Sequence, residues 1–247
     1  MSDPWETHAG WWQREYTAGA DPEYEEQILP LVDRHLAGAE RVLDVGCGEG
    51  QVARRVAALD AALVAGVDPA VGQLRVARER GGGPRYARAR ADALPVRDDS
   101  VDAVVVSLVL EHVDPLEPAI AEVARVLRRG GRFVLFLNHP LLQAPGSGWV
   151  DDRELEEQYW RVGPYLPDDV GADEVAPGVT LPFVHRPLSR YVNALAQRGL
   201  LIEHMDEPAP PAGFVARASE YEQAATIPRL LVLVARSGRS GQSTFAG

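Results

Sequence analysis

The chain has 247 residues, 46% of them hydrophobic and 25% charged, which suits one elaborated globular domain, or at most two at about 150 residues each, and excludes a disordered chain. Its 25 basic residues against 36 acidic ones leave a net charge of −11, which argues against a general binder of nucleic acid or anionic membrane. All the basic residues are Arg, so Schiff-base chemistry, lysine-linked pyridoxal phosphate and the P-loop lysine are excluded. The apolar runs at 104–110 and 230–235 fall far short of a membrane span, and the acidic, Trp-rich start shows no basic-then-apolar leader. A single cysteine, Cys47, rules out an intrachain disulfide and a cysteine-rich zinc module. A cytoplasmic location is the expectation.

In chain order, Asp21-Pro22 places an N-cap before a proline and opens a helix to about His35. A strand at 41–45 leads through a glycine-rich turn to a helix at 51–59, and a second strand at 62–68 leads through Pro69 to a helix ending at Gly81-Gly82-Gly83. Strand three is expected at 85–90. Strand four, 101–107, is a nearly unbroken Val run of the kind that is buried on both faces. Asp114-Pro115 starts a helix to Arg128-Arg129, stopped by Gly130-Gly131, and strand five follows at 132–138. Periodicity then fades over 139–186, as in a lid or binding loop. A helix at 187–198, a strand at 200–205 and a last strand at 229–235 precede a Ser/Gly-rich tail, 237–247, expected to be disordered. Alternating strands and helices predict an α/β domain, a parallel sheet with helices on both faces. That single domain is expected over 1–236, with an N-terminal cap (1–36), a cofactor half (40–138), a lid (139–186) and the remainder of the sheet (187–236).

The chemistry concentrates at Asp44-Val45-Gly46-Cys47-Gly48-Glu49-Gly50, a glycine turn between strand and helix where missing Cβ atoms let the backbone approach a ligand. Asp68 ends the next strand, 22 positions after Gly46, where a carboxylate can take the hydroxyls of a ribose, and Asp92 ends the neighbouring strand. A dinucleotide fingerprint needs a third glycine where Gln51 stands, and Glu49 sits where a pyrophosphate would bind. The pattern therefore favours an adenosine that carries positive charge.

These residues resemble motif I of the class I S-adenosylmethionine-dependent methyltransferases, of the small-molecule type. Val64–Pro69, Ala91–Pro95, Asp102–Ser107 followed by Leu108–His112, and Val123–Phe133 with its Gly130-Gly131 are similar to that family's later motifs, so the likeness covers about 40–138. The resemblance implies a Rossmann-like doubly wound sheet of seven strands, the last antiparallel, with a lid after strand five. It also implies S-adenosylmethionine as cofactor, a methyl group passed to a small-molecule acceptor, and S-adenosylhomocysteine as product. Asp44, Gly46, Cys47, Gly48, Gly50, Asp68, Pro69, Asp92, Ala93 and Ser107 would hold the cofactor, Cys47 as a small loop residue and not a nucleophile. Trp12 would fold over it, and Arg14 would meet its carboxylate.

Methyl transfer is an in-line displacement that needs alignment and water exclusion more than any one side chain. His139, His112 and His185 are the base candidates should an acceptor have to lose a proton. Tyr159, Trp160 and Tyr165 could shape an acceptor pocket or simply pack the lid, and Arg186 could meet an acceptor carboxylate or simply a surface acid. His8, His35 and His204 read as solvated or helix-end residues. The acid pairs Asp98-Asp99, Asp151-Asp152 and Asp168-Asp169 have diverging side chains, so no metal is expected. Neither a nucleic-acid nor a membrane partner is expected, and the chain should be a monomer or homodimer. Two rivals stand beside this reading: a non-catalytic binder of the same cofactor, and a nicotinamide-dependent oxidoreductase, which Gln51 and Glu49 oppose.

Overall fold

The computed structural model describes residues 4–217 and 223–238. Two short helices, α1 (Pro4–Thr7) and α2 (Ala9–Glu15), open the chain, and a wide helical turn at Tyr24–Ile28 runs into α3 (Leu29–Leu36). The Asp21 side chain accepts the amide of Glu23 at 3.1 Å, the capping geometry its spacing with Pro22 predicts. Then β1 (Arg41–Val45), α4 (Gln51–Ala57), β2 (Leu63–Asp68), α5 (Val71–Arg80), β3 (Arg85–Arg88) and β4 (Val101–Ser107) alternate as expected. A 3₁₀ turn at Leu110–His112 leads to α6 (Leu116–Val126) and the long β5 (Leu127–Asn138).

Helix α6 ends two residues before the predicted stop. Leu127 and the following arginines already belong to β5, and Arg128 turns out to pair with Asp102 at 3.0 Å. Segment 139–186, expected to be irregular, instead forms two antiparallel hairpins: β6 (Gly148–Asp152) with β7 (Glu157–Arg161), and β8 (Asp169–Ala176) with β9 (Val179–His185). The chain continues through α7 (Leu188–Gln197), β10 (Leu200–Asp206), α8 (Ala212–Arg217) and β11 (Leu230–Ser237). Ser237, placed in the tail by sequence, closes β11; residues 239–247 lie outside the described residues.

The sheet has seven strands in the order β10-β11-β5-β4-β1-β2-β3, and β11 alone runs antiparallel to its neighbours. All seven positions of β4 are buried because helices cover both faces. Alternate residues divide the core: Val104 and Val106 join Ile120 and Leu135 on one face, while Ala103 and Val105 join Val32, Val56 and Phe136 on the other. The chain builds outward from β1 to β3, then returns to lay β4 against the other side of β1. That reversal opens a crevice beyond the carboxyl ends of β1 and β4, where ligands bind in open α/β sheets. No helix among the described residues is long and apolar enough to cross a membrane.

Candidate active site

A cavity of about 390 Å³ occupies this crevice, within the range of a single drug-sized ligand. Its floor is the turn after β1, which the Val67 carbonyl anchors by accepting the amides of Gly46 (2.8 Å) and Cys47 (3.0 Å). The three glycines of this turn differ in what fills the space of their missing side chains. A Cβ on Gly46 would collide with Val109, and one on Gly50 with the Tyr86 phenol; Gly50 does not line the cavity. Only at Gly48, where φ is +52°, would a Cβ meet open space bounded by the Trp12 indole at 4.0 Å. Close approach to a ligand thus rests on Gly48, whereas Gly46 and Gly50 serve internal packing.

Acids surround that floor. Asp68 accepts the amides of Gly48 (2.9 Å) and Ala70 (2.8 Å), so it fixes the turn as well as facing the cavity. Asp44 is buried, makes no ion pair among the described residues, and leaves Oδ2 without a hydrogen bond. Burial, with Asp68 and Glu49 adding to it, pushes its carboxyl up to about 8. Glu49 corrects the sequence argument: Arg54 and Arg80 each meet its carboxylate at 2.6 Å, so its charge is neutralised inside the fold and does not itself repel phosphate. The lining as a whole still disfavours a pyrophosphate. Asp44, Asp68, Asp92 and Asp114 face it against one arginine, Arg90, which is forked onto Asp92 at 2.9 Å. Burial raises the Cys47 thiol well above its ordinary range, so this residue is a packed wall and no nucleophile.

The roof comes from the N-terminal helices and the β8–β9 hairpin. Trp12 stacks on Tyr16 with ring centroids 4.3 Å apart, and Trp5 contacts both Trp12 (5.5 Å) and His112 (4.8 Å) edge-on. His112 also meets Phe183 of β9, and its Nδ1 lies 2.6 Å from the Pro182 carbonyl. A carbonyl only accepts, so Nδ1 carries the proton and Nε2 of the neutral ring keeps its lone pair. The ring itself lines the cavity.

Comparison with known proteins agrees with this geometry. Residues 43–135 match the family model described as a methyltransferase domain. An uncharacterized methyltransferase of Mycobacterium bovis is 37% identical over 184 residues, which cover 73% of this chain and 67% of that protein. The crystal structure of an S-adenosylmethionine-dependent methyltransferase from Mesorhizobium loti is 31% identical, covers 87% of this chain and 98% of its own, and superposes with a TM-score of 0.72. One from Listeria monocytogenes, at 23% identity and a TM-score of 0.73, shares the fold. The chain belongs to the class I S-adenosylmethionine-dependent methyltransferases. S-adenosylmethionine is its methyl donor, and the cavity fits such a ligand: a buried carboxylate oxygen lacks a partner, the lining is acidic, and the backbone lies open at Gly48.

The structure assigns other duties to several of the methyltransferase's expected site residues. His139 is buried away from the cavity; its Nδ1 accepts the Leu141 amide at 3.1 Å and its Nε2 meets Glu207 at 2.7 Å, so one ring nitrogen holds the local turn and the other ties it to the segment after β10. His185 is buried, with Nε2 2.8 Å from the Tyr165 carbonyl, and the Tyr165 hydroxyl accepts the Leu188 amide at 2.9 Å. Arg186 is buried and engaged by the fold: it donates to the carbonyls of Leu110 (3.0 Å) and Val113 (2.7 Å) and to Asp114 (2.8 Å), bracing the turn that carries His112. Tyr159 is exposed on β7, and Trp160 packs on Trp149 with centroids 5.6 Å apart. Arg14 is exposed and lines nothing. The Ala93 amide is already spent on the Arg90 carbonyl at 3.2 Å, so Ala91 and Asp92 line the cavity instead.

Trp12, Asp44, Gly46, Cys47, Gly48, Asp68, Pro69, Asp92, Ser107 and His112 do come together. Sequence reasoning missed Trp5, Tyr24, Gln73 and Pro182, which line the same cavity. Trp5 shares with Trp12 the signal of an aromatic-rich start, although the break at His8 puts the two in separate helices. Pro182 carries no such signal, because a hairpin brings it across the chain.

Proposed function

We propose that this methyltransferase acts on a small-molecule acceptor that enters beside His112. The observation that carries this reading is the enclosure of the cavity from two sides, by Trp5 and Trp12 of the N-terminal helices and by Pro182 of the β8–β9 hairpin. A roof of that kind admits one modest molecule and excludes water. The reading treats 1–236 as one functional unit in which 1–36 caps the cofactor half.

When bound, S-adenosylmethionine supplies an electrophilic methyl on a sulfonium and departs as neutral S-adenosylhomocysteine. Asp68 would take the ribose hydroxyls while it holds the Gly48 amide. Asp92, kept ionised by Arg90, would receive the adenine amine. Asp44 would place negative charge beneath the cationic end, and Gly48 would leave room for that end to lie against the backbone. Ser107, beside the Tyr24 phenol, would orient the amino-acid portion. Trp5 and Trp12 keep water out, which strengthens each of these interactions. His112 Nε2 would take the proton of an acceptor hydroxyl or amine; an acceptor that is already nucleophilic would need only the wall that the ring provides.

Calorimetric titration with S-adenosylmethionine, with NADH as control, tests the cofactor assignment. Micromolar binding of the first alone is expected, and Asp68→Ala should weaken it about a hundredfold with the fold retained, a loss of roughly 2.7 kcal/mol. Unchanged affinity in that variant would remove Asp68 from the ribose site. Release of S-adenosylhomocysteine on adding small phenols, amines or acids then identifies the acceptor class; cofactor binding without turnover on any acceptor would favour the non-catalytic reading.

A further inference from the structure

The edge strand β10 brings together two imidazoles and a carboxylate that no single stretch of sequence connects. His204 and Asp206 stand two apart on β10 and so share a face, and His35 reaches them from the last turn of α3. His204 Nε2 lies 2.9 Å from Asp206 Oδ2, and His35 Nε2 lies 3.7 Å from the same oxygen. All three atoms fall within 4.8 Å of one another. A tetrahedral ion with bonds of about 2.0–2.1 Å separates its ligands by about 3.3 Å, so modest rotamer changes close the set.

Burial supplies a second, independent observation. His35 Nε2 is shielded from water and has no hydrogen-bond partner among the described residues; Asp206 Oδ2, which it faces, is shielded as well, with His204 Nε2 beside it at 2.9 Å. A buried ring nitrogen left without a partner beside a carboxylate costs free energy that a shared cation would recover. The rings of His35 and His204 are 5.6 Å apart and tilted by 43°, so stacking does not account for their approach.

We propose that His35, His204 and Asp206 bind one divalent transition-metal ion, Zn²⁺ by preference, with water completing the coordination. Two imidazoles and one carboxylate suit Zn²⁺, Co²⁺ or Ni²⁺ and not the all-oxygen shells of Mg²⁺ or Ca²⁺. The site is separate from the cofactor cavity: none of the three residues lines it, and β11 and β5 stand between β10 and β4. Its effect is mechanical, pinning the end of α3 onto a sheet edge that is otherwise open. Two cations compete there. Arg34 approaches Asp206 at 3.8 Å but is largely exposed and free to swing away, and Arg132 is engaged with the His35 carbonyl. None of the adjacent acid pairs that suggested no metal takes part in the cluster, and the two histidines are 169 positions apart.

The untagged chain, stripped with a chelator, is titrated with ZnCl₂ by calorimetry and with Co²⁺ by visible absorption. One ion per chain is expected, with a rise in Tm of roughly 5–10 °C at a hundredfold excess over Kd. His204→Ala and Asp206→Asn should each weaken Zn²⁺ binding at least tenfold while leaving S-adenosylmethionine affinity unchanged, which separates this site from the cofactor assignment. The absence of saturable binding up to about 1 mM Zn²⁺, or equal affinity in both variants and the parent chain, would overturn the proposal.

Discussion

Residues 40–138 and residues 139–186 meet the same cavity on unequal terms. The first segment builds the floor and most of the wall from the ends of parallel strands, whose positions the sheet ladder and two core faces fix. The second forms two hairpins outside the sheet and contributes a single lining residue, Pro182. Among the described residues, six of the ten large hydrophobic side chains left exposed lie between Leu155 and Val175, so this segment is not packed as a core is. A strand end in a parallel sheet cannot move without its neighbours. A hairpin can change its side chains and length with little cost, which is why acceptor choice is expected to reside there.

The largest effect that sharpens this contrast is a stability effect. Phe136 is fully buried in β5, and Phe136→Ala should cost about 3–5 kcal/mol of unfolding free energy through lost burial and the cavity left behind. Denaturant melts monitored by circular dichroism measure it. A cost below about 1 kcal/mol would mean that the sheet tolerates collapse and is a softer frame than its ladder implies.

Next in size is the contrast between two histidines, one from each segment. His112→Ala should lower kcat about a hundredfold on an acceptor that must lose a proton. His112→Gln separates base from wall: the amide can still donate to the Pro182 carbonyl but cannot accept a proton at the position of Nε2. Equal losses in both variants support the base, and rescue by Gln leaves only a wall. His139→Ala, by contrast, should leave kcat within about twofold and lower stability by about 1 kcal/mol, since it removes one turn hydrogen bond and the contact with Glu207.

These two histidines also show what was legible in the sequence. The frame was readable because parallel strands are continuous apolar runs, and because a strand, a glycine turn and a helix must follow one another in order for the cavity floor to form. The alternation of strands and helices and the glycine turn at the cavity floor follow from that local grammar, whereas seven strands with the last antiparallel followed only from the family resemblance. Glu49 was misread in part for a non-local reason: Arg54 stands five positions on, on the helix that follows, but the second partner, Arg80, lies 31 positions away, at the end of a helix whose placement sequence does not reveal. His139 and Arg186, each open to a structural or an acceptor reading in sequence, are decided likewise by burial and by partners from distant segments, Glu207 and the turn at Leu110. The hairpins were missed because β8 is almost wholly exposed and has no apolar alternation to announce it.

Asp44 provides a smaller, pH-dependent test of the floor. Its carboxyl sits at about 8 in the folded chain against an ordinary 3.8, so the folded state keeps a proton that the unfolded chain has lost between those values. Ligand-free stability should therefore fall as pH rises through about 4 to 8 and level off above, the reverse of a salt-bridged carboxylate. A sulfonium favours the ionised form. S-adenosylmethionine affinity should then climb by up to about tenfold between pH 7 and 9, with S-adenosylhomocysteine, neutral at sulfur, gaining less. Asp44→Asn should abolish the difference between the two ligands' pH profiles; profiles that stay apart in that variant would place the responsible charge elsewhere.

The smallest effect belongs to Tyr159, and its smallness is the point. This side chain is 43% exposed on β7, makes no contact with the cavity, and projects from a hairpin paired only within itself. Tyr159→Ala should leave stability within about 0.5 kcal/mol and S-adenosylmethionine affinity unchanged. Because the frame does not depend on it, any change it does cause must come through the acceptor. A rise in KM for the acceptor with kcat held would mean that the β6–β7 hairpin folds toward the roof when the acceptor arrives, and that substrate contacts extend beyond Pro182. An unchanged KM would confine acceptor recognition to the wall formed by Trp5, His112 and Pro182, so that exchanging residues at those positions, and not in the outer hairpin, is the way to alter what this enzyme methylates.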